Sequence, residues 1–289
     1  MTTHQAPEVL RYTAFSTDPA GGNPAGIVLD AGGLDDQTRL AIAAEVGYSE
    51  SAFLSAAPEG LGEPDRAYTL RFFSPLAEVS FCGHATVATA VALAERVGPG
   101  DFVFATQAGT VQVAVRAADG VLRATLTSVE PRVEPAAEAE VTEALAALGW
   151  AVGDLDAALP PRIAYAGARH LVLAAATRER LADLDYDFDR LAALMRALDL
   201  TTVQLVWRES ETVFHVRDPF PVGGVVEDPA TGAAAAAFGA YARELGLVTA
   251  PVTLTLHQGH DLGRPGLLEV ELRADDPRVR VTGAGTRIP

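Results

Sequence analysis

Two alanine-rich runs, each placed directly after a polar turn, constrain this chain more than any other feature. Residues Val87–Glu95 follow the turn Phe81-Cys82-Gly83-His84-Ala85-Thr86, and Ala233–Tyr241 follow Glu227-Asp228-Pro229-Ala230-Thr231-Gly232. An extended, proline-containing segment precedes each turn (Arg71–Phe81 and His215–Val226). Each run reaches a glycine, Gly98 or Gly246, and a glutamine-containing turn comes next, Gln107-Ala108-Gly109 or Gln258-Gly259. The repetition predicts an internal duplication of a strand–turn–helix–strand unit. A helix apolar all round has to be enclosed on every side, and a sheet curled around it supplies that enclosure while removing sheet edges. Two helix N-termini bearing ionisable groups imply one site built between two half-molecules.

At 289 residues the chain fits two domains of ordinary size. Hydrophobic residues make up 49% and aromatics only 7%, so the core is expected to be built from Ala, Val and Leu. Twenty-two basic against 38 acidic residues give a net charge of −16, which argues against nucleic acid and anionic membranes as partners. A single cysteine rules out an internal disulfide and a cysteine-based zinc site. No basic N-terminal region leads into an apolar run, and no apolar stretch approaches about 20 residues. A cytoplasmic protein is the resulting expectation.

Strands are predicted at Leu10–Phe15 and Ala25–Leu29, flanking a turn at Gly21-Gly22-Asn23-Pro24. Asp35 or Asp36 caps a helix running to Val46, stopped by Gly47. Tyr68–Phe73 alternates as a strand, and Asp101–Ala105, Thr110–Arg116 and Val121–Leu126 read as a meander. The Pro- and Glu-rich stretch Val129–Glu140 marks a domain boundary. It separates residues 1–128, with 279–289 as a returning strand, from residues 129–278. Beyond it come helices at Glu140–Leu148 and Asp189–Leu198, strands at Ile163–Tyr165 and His170–Ala174, and a hairpin of Val203–Arg208 with Thr212–Val216. Val252–His257 is expected to pair with Leu267–Leu272, and Arg278–Ile288 reads as a last strand.

The residue types that can do chemistry gather at the turns. Glu50, in Ser49-Glu50-Ser51 between a helix stop and a strand, reads as a solvated loop carboxylate or as an acid/base. Cys82 reads as a small core residue or as a thiol activated at a helix N-terminus. His84 reads as a capping group or as a proton carrier, and Gly83 lets the backbone approach a ligand. Asp228 can cap the second helix, Thr231 offers a hydroxyl, and the N–H groups of Thr231, Gly232 and Ala233 would face an anion. Gln258 and Arg264 lie in a turn-rich segment able to approach that helix start, Arg264 as a carboxylate ligand or an ordinary loop cation. The six histidines show no metal-ligand spacing, and His4 reads as part of a loose terminus. No P-loop and no G-x-S-x-G elbow is present.

Taken together, these segments resemble the PhzF-like isomerase family of phenazine biosynthesis-like proteins, with its diaminopimelate epimerase-like fold. The likeness runs nearly end to end: Tyr12–Phe15 with Gly22–Val28, Tyr48–Phe53, Arg71–Pro75, Cys82–Thr86, Gln107–Gly109, Glu227–Gly232, and Gln258-Gly259 with Gly263-Arg264-Pro265. It implies an α+β protein of two similar domains, each a β-barrel-like sheet wrapped around a central helix, with the active site in the cleft between them. It implies a cofactor-independent isomerase, without metal, that shifts a proton on a small carboxylate-bearing metabolite, and a homodimer. Carried over by motif, Glu50 is the general acid/base and His84 and Asp228 assist or hold substrate. Cys82, Gly83, Thr231, Gly232, Ala233, Gln258 and Arg264 fall to substrate binding. Two departures stand out. Ala233 replaces the serine of phenazine enzymes, and Cys82 stands where those enzymes often carry alanine. Because the second turn has no cysteine, a two-thiol epimerase mechanism is impossible. A binding protein without activity, or an amino-acid epimerase using Cys82, are the alternative readings.

Overall fold

The computed structural model describes residues 7–289, so His4 lies outside the described residues. The chain forms two compact units, Met1–Leu126 with Thr282–Pro289, and Thr127–Val281. No helix among the described residues is long and apolar enough to cross a membrane.

The first unit begins with β1 (Leu10–Ala14) and β2 (Asn23–Val28), an antiparallel pair. Helix α1 (Asp36–Val46) follows, and its ends have visible causes. The Asp35 side chain accepts from the Thr38 N–H, and Gly47 takes the left-handed conformation at φ 72°. Strand β3 (Ser51–Ala56) then runs parallel to β2, β4 (Ala67–Phe73) antiparallel to β3, and the two-residue β5 (Glu78–Val79) folds back on β4. After α2 (Gly83–Val97), β6 (Gly100–Thr106) pairs parallel with β4, and β7 (Gly109–Ala118) and β8 (Val121–Thr127) complete a meander. The last strand of the chain, Val279–Arg287, pairs with both β8 and β1 and closes an eight-stranded ring. Helix α2 packs against β1, β2, β3 and β7, and every residue from His84 to Ala94 is buried. An alanine-rich helix is the slender element that such a ring can surround; bulkier side chains would exceed its interior.

The second unit opens with β9 (Arg132–Pro135) and α3 (Glu138–Leu148), then repeats the pairing order of the first. Strand β10 (Arg162–Tyr165) is antiparallel to β11 (Arg169–Ala174). Helices α4 (Arg178–Ala182) and α5 (Phe188–Ala197) lead into β12 (Thr202–Arg208), parallel to β11. Strand β13 (Val213–Pro219) is antiparallel to β12, and the two-residue β14 (Glu227–Asp228) folds back on β13. After α6 (Gly232–Glu244), β15 (Val252–Gln258) pairs parallel with β13, and β16 (Gly266–Leu272) antiparallel with β15. Helix α6 packs on β9, β10, β11 and β16 and is buried from Ala234 to Ala242. The duplication read from two alanine-rich runs therefore extends strand by strand. Within the stretch read as a Pro- and Glu-rich boundary lies β9, a mostly exposed strand of four residues ending in a proline.

One glycine shows how closely the second sheet holds its helix. A Cβ on Gly239 would sit 2.7 Å from Val270 Cγ1 and 3.0 Å from Val279 Cγ1. Alanine is worth about 1 kcal/mol over glycine inside a helix, but overpacking a core costs about 1–3 kcal/mol. Gly239→Ala is expected to lower stability by about 1 kcal/mol net, read as a lower urea midpoint. A higher midpoint would mean that the valines yield.

Candidate active site

In the first unit, three separated segments deliver their side chains to one place. Glu50 lies between the α1 stop and β3, Cys82 and His84 flank Gly83 at the start of α2, and Asn23 opens β2. His84 is buried at 6% exposure and Glu50 nearly so. Glu50 Oε2 lies 3.6 Å from His84 Nε2, slightly beyond hydrogen-bond reach, as is common before substrate tightens such a pair. The Cys82 sulfur lies 3.4 Å from His84 Nδ1 and 3.8 Å from Nε2. Asn23 Nδ2 is 3.1 Å from Nδ1. With the Asn23 amide donating, Nδ1 accepts and the ring proton sits on Nε2, on the side of Glu50. His84 thus faces its neighbours with its ring and does not cap the helix. Helix α2 adds its own first N–H groups, which the helix leaves without intrahelical acceptors. The site pairs a carboxylate that can take a proton with an N–H donor and a helix start that favour negative charge.

Asn23 was not singled out by sequence reasoning. Its signal, a polar residue immediately before Pro24 in a glycine-rich turn, reads as turn chemistry alone.

The second turn is organised differently. Asp228 Oδ2 accepts the Thr231 hydroxyl at 2.6 Å. Gln258 is fully buried and spends its amide on the turn itself. Its Nε2 donates to the Asp228 carbonyl at 2.9 Å and to Thr231 Oγ1 at 3.0 Å, while its Oε1 accepts from the Thr231 N–H at 2.9 Å. This corrects two expectations. Gln258 braces the turn instead of facing outward to a ligand, and the Thr231 N–H is occupied by Gln258. The N–H groups of Gly232 and Ala233, at the start of α6, remain the ones suited to an anion. Arg264 is half-buried and closes the loop through its backbone, its N–H donating to the Gly259 carbonyl at 2.9 Å. Gly259, at φ 77°, lies so near Arg264 and Pro229 that a Cβ would come within 2.7 Å of the Pro229 carbonyl oxygen. Only glycine brings this loop against the turn. A Thr231→Val substitution keeps the shape but strips a donor from Asp228 and an acceptor from Gln258. It is expected to cost about 1–3 kcal/mol, measured by chemical denaturation; an unchanged midpoint would show the hydroxyl to be dispensable.

Behind the Asp228 turn sits a buried chain of polar groups that sequence reasoning missed. His170 Nδ1 lies 2.8 Å from Thr202 Oγ1, and Thr202 donates to Asp218 Oδ1 at 2.8 Å. Asp218 is the β-ladder partner of Asp228. His170 and Asp218 are both fully buried. Burial pulls the His170 imidazole down to about 3. It pushes the Asp218 carboxyl well above the usual range, against the Thr202 hydrogen bond, with the charges of Asp228 and Glu227 adding to the rise. Next to this pair, Arg217 holds Glu227 at 2.6 Å and the Ala182 carbonyl at 2.7 Å, which ties β13 to β14 and α4.

Two β-barrel-like sheets, each wrapped on an apolar helix with ionisable groups at its N-terminus, define the diaminopimelate epimerase-like α+β fold. The model of the family described as phenazine biosynthesis-like protein matches residues 12–288. An uncharacterized isomerase of Deinococcus radiodurans is 32% identical, over 94% of this chain and 89% of that one. The trans-2,3-dihydro-3-hydroxyanthranilate isomerase of Pseudomonas chlororaphis is 30% identical over 94% of both chains. The crystal structure of a PhzF-family phenazine biosynthesis protein from Bacillus anthracis superposes with a TM-score of 0.86 at 25% identity, covering 97% of this chain and 96% of that one. The chain belongs to the phenazine biosynthesis-like, or PhzF, family, and at that level it is an isomerase.

Proposed function

We propose that this protein is a cofactor-independent isomerase that relocates a proton on a small metabolite bearing a carboxylate. The proximity of Glu50 to His84 at the start of α2 carries the reading. Glu50 takes a proton from carbon, and the electron pair spreads into the substrate's conjugated acid group. His84 Nε2–H and the first N–H groups of α2 stabilise that charge. Glu50 then returns the proton to a different carbon on the same face of the substrate. In the second unit, the Gly232 and Ala233 N–H groups at the start of α6 are suited to a carboxylate or hydroxyl. A serine at position 233 would add a hydroxyl to that set, so Ala233 points to a ligand with one fewer polar group there. The name of the Pseudomonas chlororaphis relative suggests cyclic hydroxy amino acids as the first compounds to try. A homodimer and a cytoplasmic location belong to the same reading, and sedimentation of the purified protein tests the first.

The test is incubation with small cyclic and acyclic carboxylates in deuterated water. Label is expected to enter the substrate carbon; binding without exchange would favour a non-catalytic role. The closeness of Cys82 to His84 supports a second reading, an epimerase in which the Cys82 thiol is one of the two proton carriers. Alkylating Cys82 would then abolish exchange for an amino acid, while a substrate small enough to bypass the added bulk would still exchange under the first reading.

A further inference from the structure

The cluster at the start of α2 has a composition that proton transfer does not require. A carboxylate from Glu50, a thiol from Cys82 and an imidazole from His84 each offer one atom, and these atoms lie within 4.8 Å of one another. His84 Nε2 is 3.6 Å from Glu50 Oε2 and 3.8 Å from the Cys82 sulfur. Neighbouring ligands of a tetrahedral ion with bonds of about 2.0–2.3 Å lie about 3.3–3.8 Å apart, so both separations from His84 Nε2 match ligand spacing, and the sulfur, 3.4 Å from Nδ1 beside the ring, has to turn toward Nε2 to share the ion. We propose that Glu50, Cys82 and His84 form a three-ligand site for a thiophilic divalent cation, Zn2+ by its donor set, and that the bound ion inhibits the enzyme by occupying its acid/base.

The charges favour the ion. A thiolate and a carboxylate neutralise a divalent cation, so the filled site carries no net charge although Cys82 and His84 are buried at 7% and 6% exposure. The N-terminus of α2 favours the thiolate form that a metal needs. The donor set of sulfur, imidazole and carboxylate selects zinc, cobalt or copper over magnesium and calcium. Three protein ligands leave a fourth position for water or a substrate carboxylate. Asn23 completes the arrangement. When Nε2 gives its lone pair to the ion, the ring proton resides on Nδ1, and Asn23 meets it by presenting its amide oxygen in place of its nitrogen. Such outer partners fix the tautomer of metal-binding histidines. Binding releases the thiol proton to solvent and breaks no covalent bond beyond S–H. A single cysteine excludes the zinc sets that need several thiolates but not this mixed one, and sequence spacing could not expose it, because Glu50 arrives from the end of α1 while Cys82 and His84 open α2.

Only the inhibitory part rests on Glu50 being the acid/base; the site itself does not, and the two are separable. Tag-free, metal-stripped protein is titrated with Co2+, followed by Zn2+ displacement. One equivalent of Co2+ is expected to bind with a sulfur-to-metal absorption band in the near ultraviolet, and Mg2+ should not compete. Cys82→Ala should remove the band and weaken Zn2+ binding at least about tenfold, with a melting curve like that of the parent. The imidazoles of His215, His257 and His260 also gather in the second unit, with ring centroids 5.0–6.1 Å apart. They supply nitrogen alone, so Co2+ binding without the sulfur band, or equal affinity in Cys82→Ala, would overturn the proposal. Once a substrate is found, micromolar Zn2+ should suppress deuterium exchange reversibly by chelator. Metal binding with undiminished exchange would refute the inhibition and keep the site, whereas exchange lacking in both forms would count against the proposed reaction alone.

Discussion

Glu50→Gln is expected to lower the rate of solvent-deuterium exchange into substrate by about 10²–10⁴-fold, the usual worth of a positioned acid/base. That corresponds to about 3–5 kcal/mol of barrier. Glutamine has the shape of glutamate and cannot accept a proton from carbon, so the substitution isolates the chemical role. The fold should be indifferent to it. Glu50 approaches His84 no closer than 3.6 Å, lies outside any helix, and precedes a strand whose own residues Ser51–Leu54 are buried and carry the packing. A change in stability of under about 1 kcal/mol is expected. His84→Asn should slow exchange less, because the N–H groups of α2 remain to stabilise the developing charge. Full exchange in Glu50→Gln would remove Glu50 from the mechanism. A collapse of the melting temperature alongside lost exchange would instead identify it as a structural carboxylate.

The contrast between the two turns explains what was legible in the sequence. The alanine-rich helices declared themselves, because a helix without a polar face has to be surrounded, and the strand runs flanking them supply the surrounding sheet. Three short elements stayed hidden. Strands β5 and β14 are two residues each and α4 is five, too short to show any period. Glu50 and His84 were singled out separately, but only folding places Glu50 Oε2 beside His84 Nε2, since spacing along the chain says nothing across a parallel sheet. Gln258 was noticed for its turn, and its role as an internal brace depends on burial that composition does not reveal. His170, Thr202 and Asp218 were missed for another reason. Each lies at or next to the end of a strand, so periodicity absorbs it as a boundary, although a buried polar residue in a strand is itself a signal.

That missed chain makes a prediction about the pH dependence of stability in which two groups oppose each other. Burial depresses the His170 pKa in the fold to about 3, from about 6.5 in the unfolded chain. Its contribution is present above about pH 6.5 and is lost as pH falls toward about 3. The Asp218 carboxyl is raised in the fold. Its contribution is present below the unfolded carboxylate pKa, about 3.9, and is lost as pH climbs through the folded value. The two slopes have opposite sign, so above about pH 4 they oppose each other, the His170 one ending near pH 6.5. Asp218→Asn retains an acceptor for Thr202 and cannot ionise. It should therefore gain on the parent as pH rises from about 4 toward the folded Asp218 value. His170→Asn keeps an N–H donor for Thr202 and should show the reverse, a stability that declines with pH up to about 6.5 relative to the parent. Chemical denaturation of the three proteins at half-unit pH intervals reads these differences directly, and the shared exposed carboxylates drop out of the comparison. Parallel curves for parent and Asp218→Asn would mean that Asp218 titrates normally inside the protein, through water reaching its second oxygen. It would then carry a full negative charge against its ladder partner Asp228.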